Sequence, residues 1–340
     1  MIWLFRADNS EATDYYIDTV ACALRRAGYK TEILPPGSVE NCIKTRAEKE
    51  DWFFFPSALM ACKACFWGAK NIILWCQGVV PEESYLRNRS RARTLGLSFI
   101  ERRALKKAAF CLFVSDEMRR HYEKKYRLDF EDRYFVMPCF NASLEPEAFC
   151  TEGKYVSPSF AYVGSLAAWQ CFEKTVDIYK AIEARLDDTR LKVLTFDQDR
   201  ARMILEARGV ERYEVSCVPP EKVAAELAEV SYGFVIREDN VVNRVATPTK
   251  LSSYMSAGVI PVFSDCLGSF TDMARNLRFA VPVGESVNAD YVARCCAESV
   301  SWKEILAEYR CVFDTYYSRE YYVERLAPLF DKALSLGRRA

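Results

Sequence analysis

The stretch YGFVIREDNVVNRVATPTKLSSYMSAGVIPVFSD, residues 232–265, decides the fold class. Two apolar runs, YGFVI and VIPVF, bracket a polar loop and a helical pattern in which Leu251, Tyr254 and Met255 share a face and Gly258 follows. Strands that are apolar without alternation, joined through a helix, belong to a parallel sheet covered on both faces. Thr247 and Pro248 read as N-cap and first helical residue, which puts Lys250 in the first turn. A cation there opposes the helix dipole by a few tenths of a kcal/mol, up to about 1. Arg237 and Arg244 add two more positive charges nearby. Such cations beside free backbone N–H groups suit an anion, and an arginine fork suits two phosphate oxygens. The plain alternative is a solvated loop in which Arg237 pairs with Glu238 or Asp239 and Lys250 points to water.

The same rhythm runs outward along the chain. IWLF (2–5), KTEIL (30–34), WFFF (52–55), NIILWCQG (71–78), CLFVS (111–115) and RYFVMP (133–138) are short buried strands separated by helical patterns. Asp8, Asn9 or Ser10 can cap the first helix and Gly28 ends it. Residues 141–159 are polar, contain prolines and a glycine, and read as a linker. FAYVG (160–164) and LKVLTF (191–196) then restart the pattern, so the chain divides into domains at 1–150 and 151–317, with a last helical segment at 318–340. There is no GxGxxG after the first strand and no GxxxxGK[ST], which removes the nicotinamide fingerprint and the P-loop.

Composition bounds the function. The 340 residues carry 47 basic and 47 acidic side chains, so nothing global points to nucleic acid. No apolar run reaches the roughly 18 residues of a membrane span, and the first residues lack a secretory leader; the expected compartment is the cytoplasm. The 14 cysteines lie mostly in apolar patterns. Cys62 and Cys65 form a CxxC without a second pair at zinc spacing, and His121 is the sole histidine, so no metal site is expected.

Three further places carry candidate chemistry. Gly164 and Ser165 lie between a strand and a helix, where backbone can approach a ligand closely. Gln77 and Gly78 follow another strand, with Pro81 opening a helix whose first turn suits Glu82 and Glu83. Residues 87–107 hold Arg87, Arg89, Arg91, Arg93, Arg102, Arg103, Lys106 and Lys107 against one acid, Glu101. That run reads either as a solvated face or as a surface attracted to anionic lipid or a phosphate-bearing acceptor.

FAYVGSLAAWQCFEKTVDIYKAI (160–182) and VNRVATPTKLSSYMSAGVIPVFSD (242–265), in this order, resemble retaining glycosyltransferases of the GT-B fold, nearest to the family 4 type of bacterial sugar transferases. The resemblance implies two Rossmann-like α/β domains facing across a cleft, acceptor side first and donor side second, with a final helix crossing back to the first domain. It implies transfer from a nucleotide-diphosphate sugar, with no essential metal or cofactor, to a hydroxyl of a glycan or polyprenyl-linked acceptor in surface polysaccharide synthesis. An anionic membrane surface met by Arg87–Lys107 would make the protein peripheral at the inner face of the membrane. Gly164 and Ser165 match the family's diphosphate loop, and Lys250 lies just before the helix that usually carries a donor-binding glutamate. Arg244 and Lys250 are the expected catalytic cations; Arg237, Glu238, Asn243, Thr249 and Ser253 complete the expected donor set, and Gln77 and Gly78 the acceptor side. Two departures stand out: Val245 and Ser253 occupy the positions of the usual paired glutamates, and Trp169 and Gln170 the neighbourhood of an arginine and lysine pair. They keep open a nucleotide-sugar epimerase and a non-catalytic nucleotide-sugar or glycan-binding protein.

Overall fold

A computed structural model describes residues 1–7, 11–286 and 289–337, so the Asp8, Asn9 and Ser10 cap lies outside the described residues. The chain forms two compact units. The first comprises Met1–Asn141, Val245–Thr247 and Ser318–Ala340; the second, Ala142–Arg244 and Pro248–Tyr317.

The first unit is built on six parallel strands: β1 Ile2–Phe5, β2 Thr31–Leu34, β3 Trp52–Phe55, β4 Asn71–Cys76, β5 Phe110–Phe113 and β6 Tyr134–Val136. Their order is β2-β1-β3-β4-β5-β6. Every residue of β1, β3 and β5 is buried, as expected of strands covered on both faces. The rings of Phe5 and Phe55 stack at 5.3 Å across neighbouring strands. The last helix, Arg319–Gly337, packs along the first, Glu11–Arg26, within this unit. Its buried stripe of Tyr322, Val323, Leu326, Phe330 and Leu334 has helical spacing. Phe330 meets Phe110 at 5.4 Å, and Arg26 pairs with Glu320.

The second unit repeats the design with β7 Ser159–Val163, β8 Arg190–Leu194, β9 Tyr213–Ser216, β10 Tyr232–Val235, β11 Ile260–Ser264 and β12 Val281–Val283, in the order β12-β11-β10-β7-β8-β9. The edge strands β9 and β12 have no counterpart in the sequence reading. YEVS is only partly covered and VPV is three residues long with a proline at its centre.

Residues 141–159 form more than a linker. Pro146–Phe149 make a 3₁₀ turn with Phe149 buried, and Lys154 sits in the interior of the second unit. Its ammonium donates to the carbonyls of Ala148, Leu227 and Ala257, and burial pushes its pKa down to about 7.

Candidate functional site

In open α/β sheets ligands gather at the carboxyl ends of strands, where the strand order reverses. In the second sheet that point lies between β7 and β10. Gly164 follows β7 and Arg237 follows β10 by two residues. Lys250 enters from the helix Thr249–Ser256, which Tyr254 fixes in place. The Tyr254 ring lies flat on β10, where a Cβ on Gly233 would come within 2.6 Å of it, and its hydroxyl accepts from the Val163 N–H at 3.1 Å. Gly164 has φ +117°, and a Cβ there would stand 3.0 Å from Lys250 Cε. The lysine stem therefore runs directly over the glycine.

Two cations converge here on one neutral oxygen. Gln170 Oε1 accepts from Lys250 Nζ at 2.8 Å and from Arg237 Nη2 at 2.5 Å. Arg237 also donates to the carbonyls of Gln170 and Ile236, at 3.1 and 2.8 Å, and its backbone N–H donates to Ser264 Oγ at 2.9 Å. Lys250 Nζ stands 4.2 Å from the centre of the Tyr162 ring. Among the described residues neither cation has a carboxylate within ion-pair distance. Burial, and then the Arg237 charge, hold the Lys250 amine well below the usual lysine range. Burial also lowers Arg237, which as a guanidinium keeps its proton at neutral pH. A buried guanidinium beside a half-buried amine, with amide, ring and carbonyl partners only, is an electrostatic deficit that an anion would relieve.

The other expected donor residues fall into different surroundings. Arg244 is exposed and forms a two-pronged ion pair with Asp239, at 2.5 and 2.8 Å; Arg244, not Arg237, makes the local salt bridge. Glu238 is exposed, and its carbonyl accepts from the Asn243 amide at 2.9 Å, with Asn243 buried. Thr247 does not cap the helix. Its hydroxyl accepts from the Cys139 N–H at 3.0 Å within the first unit, and the N-cap position belongs to Pro248, with no side-chain cap. The Ser253 hydroxyl donates to the Thr249 carbonyl at 3.2 Å, Val245 is buried with its carbonyl taking the Ser115 hydroxyl, and the Ser165 carbonyl takes the Tyr162 hydroxyl. Gln170, which joins the two cations, was visible in the sequence only as a departure from a family pattern.

The first sheet reverses between β1 and β3. Beside it, over the ends of β3 and β4, opens a cavity of about 400 Å³ lined by Ala7, Pro56, Trp75, Gln77, Gly78 and Glu83 among others. Gln77 is tied by its amide to the Pro56 carbonyl at 3.0 Å. The Glu83 carboxylate covers Gly78, with Oε1 2.1 Å from where a Cβ would sit. Burial raises the Glu83 pKa, with Arg87 opposing. Glu101 lines the same cavity, is also raised by burial, and accepts from Tyr126 at 2.6 Å and Tyr122 at 3.2 Å. The Trp75 indole N–H is buried with no hydrogen-bond partner among the described residues. Pro81 and the two glutamates do open a helix, Val80–Asn88. His121 faces Glu82 at 3.2 Å, and the Cys62 thiol donates to the Ile100 carbonyl as a core residue does. Among the described residues no three His, Cys, Asp or Glu side chains group as metal ligands, and no helix is long and apolar enough to cross a membrane.

The chain aligns end to end with known structures. A glycosyltransferase from Rickettsia africae ESF-5 superposes with a TM-score of 0.67 at 13% identity, covering 98% of both chains. The fold is of the GT-B glycosyltransferase type. AviGT4, a glycosyltransferase involved in avilamycin A biosynthesis, gives 0.60 at 12% identity over 98% of both chains. A mutant of S. aureus TarM, in complex with fondaparinux, α-GlcNAc-glycerol and UDP, gives 0.64 at 9% identity over 87% of this chain and 58% of TarM, so this chain spans little more than half of that protein. No family model and no curated protein matches the sequence.

Proposed function

We propose that the chain transfers a sugar, with retention, from a nucleotide-diphosphate sugar to a hydroxyl of a glycan or lipid-linked glycan, as a cytoplasmic step in surface polysaccharide synthesis. The observation that carries this reading is the pair of buried Arg237 and half-buried Lys250, without a counter-anion at the β7/β10 reversal, with the lysine stem pressed against Gly164. The diphosphate is the anion that this pair lacks. As the bond from the anomeric carbon to the diphosphate breaks, negative charge grows on the leaving oxygens, where two preorganised cations and the uncapped helix start stabilise it. The acceptor oxygen bonds to the same face of the sugar, and its proton passes to a diphosphate oxygen. Gln170 orients both cations, and Gln77, Gly78 and Glu83 are assigned to the acceptor side.

Arg244 is assigned a lesser part, because Asp239 already holds its fork. One observation favours binding without transfer: Val245 is buried and Ser253 turns its hydroxyl onto its own helix, so neither offers a carboxylate. Turnover assays with a panel of nucleotide sugars and hydroxyl acceptors separate the readings. Release of nucleoside diphosphate coupled to a glycosylated product, lost in Lys250→Ala and Arg237→Ala, supports transfer; binding with no consumption of any donor supports the other.

A further inference from the structure

Two neighbouring helices of the first unit leave an unusual combination in solvent. The helix Arg91–Lys107 turns Ala92, Leu95, Gly96 and Phe99 outward in one stripe, with Leu95 71% and Phe99 68% exposed. Beside it packs the helix Ala58–Phe66, joined through the Cys62 thiol on the Ile100 carbonyl, with Phe66 84% and Leu59 45% exposed. Soluble surfaces tolerate single exposed apolar side chains, but Leu95 and Phe99 lie one turn apart on one helix face, and the helix packed against it exposes Phe66 and Leu59 as well.

The exposed charges of these two helices are of one sign. Arg91, Arg93, Arg102, Arg103, Lys106 and Lys107 are exposed on the first helix, and Lys63 and Lys70 on and beyond the second. Among the described residues none of these eight has a carboxylate within ion-pair distance. The one acid of the stretch, Glu101, points inward to Tyr122, Tyr126 and Lys125. Arg120, Arg208 and Arg244, by contrast, all pair with acids on the surface.

We infer that this two-helix face docks on an anionic phospholipid bilayer, with Phe66, Leu95 and Phe99 entering the headgroup boundary and the surrounding cations meeting lipid phosphates. A bilayer surface offers anionic groups and hydrocarbon within about 5–10 Å of one another, which is what a helix face with adjacent apolar and cationic side chains requires. The 17-residue helix lies about 25 Å along such a surface at 1.5 Å per residue. An acidic protein or a nucleic acid would satisfy the cations and leave protruding phenylalanines unused. The docking face does not depend on the sugar-transfer reading and can be tested without any sugar nucleotide.

The test is flotation of the full chain with vesicles of phosphatidylcholine alone or mixed with phosphatidylglycerol, at 0.1 M salt. Anionic vesicles should bind at least tenfold more tightly. Each basic residue near the surface strengthens binding roughly fivefold, so Arg102→Ser with Arg103→Ser should weaken it about 25-fold. Phe66→Ser with Phe99→Ser should abolish what binding survives at high salt, where charge attraction is screened. Both pairs are exposed, so their melting curves should match the wild type; if one pair fails to fold, the salt series on the wild-type chain still decides. No preference for anionic vesicles, or wild-type binding by the folded variants, would overturn the proposal. So would equal affinity for polyaspartate or RNA with no effect of the phenylalanine pair.

Discussion

The two strand-order reversals of this molecule share a topology and differ in charge. In the second unit the reversal holds Arg237 and Lys250 on one amide oxygen with no acid beside them. Beside the first lies a cavity walled by Trp75 and two carboxyls, Glu83 and Glu101, whose pKa values burial raises. On the proposed reading, the same parallel scaffold prepares one place for an anion and another for a neutral, hydrogen-bonding ligand. The contrast comes from a few residues at strand ends.

The largest effect expected is at the cationic pair. Truncating one partner of a buried, hydrogen-bonded charge contact costs about 2–5 kcal/mol, so Lys250→Ala or Arg237→Ala should weaken nucleoside diphosphate binding at least ~30-fold by calorimetry. A loss of similar size in Gln77→Ala would erase the contrast between the two reversals.

The carboxyl side should respond to the other ligand. Glu83→Gln is expected to raise the acceptor KM about tenfold, the scale of one hydrogen bond to a charged group, while the diphosphate Kd stays put. Steady-state kinetics against both substrates would show the split.

Titration sharpens the comparison further. Because the folded-state pKa of Lys250 is lowered, the unfolded chain binds more protons up to its own pKa of about 10.4, and stability without ligand should climb with pH through that window. Lys250→Met should flatten the climb in part, with Lys154 supplying the remainder. Diphosphate favours the charged amine, so binding should take up a proton and weaken as pH rises, as calorimetry in buffers of different ionisation enthalpy would reveal. The smallest effect is expected at Arg244: its exposed pair with Asp239 contributes on the order of 0.2–1 kcal/mol, so Arg244→Ala should shift diphosphate affinity only a few-fold.

Much of the fold was legible because burial on both faces leaves its mark as runs such as WFFF and NIILWC. Strands β9 and β12 left weaker marks, being short, at sheet edges and, in β12, interrupted by Pro282. Lys250 and Gly164 were legible because a cation in a first helical turn and a glycine after a strand each oppose a local preference. Arg237 and Arg244 were not separable, since sequence spacing cannot tell which arginine turns inward and which meets Asp239. Glu83 had a cheap account at a helix start that concealed its place over Gly78. Thr247 looked like a cap because its type and its following proline fit, while its hydroxyl is used by Cys139, more than a hundred residues away.

The most direct measurement is a crystal structure with bound nucleoside diphosphate. Phosphate density is expected at Gly164, within hydrogen-bond reach of Lys250 Nζ and Arg237, with Gln170 displaced from at least one of them. Diphosphate density confined to the Trp75 and Glu83 cavity of the first unit would contradict the assignment of the cationic pair to the donor.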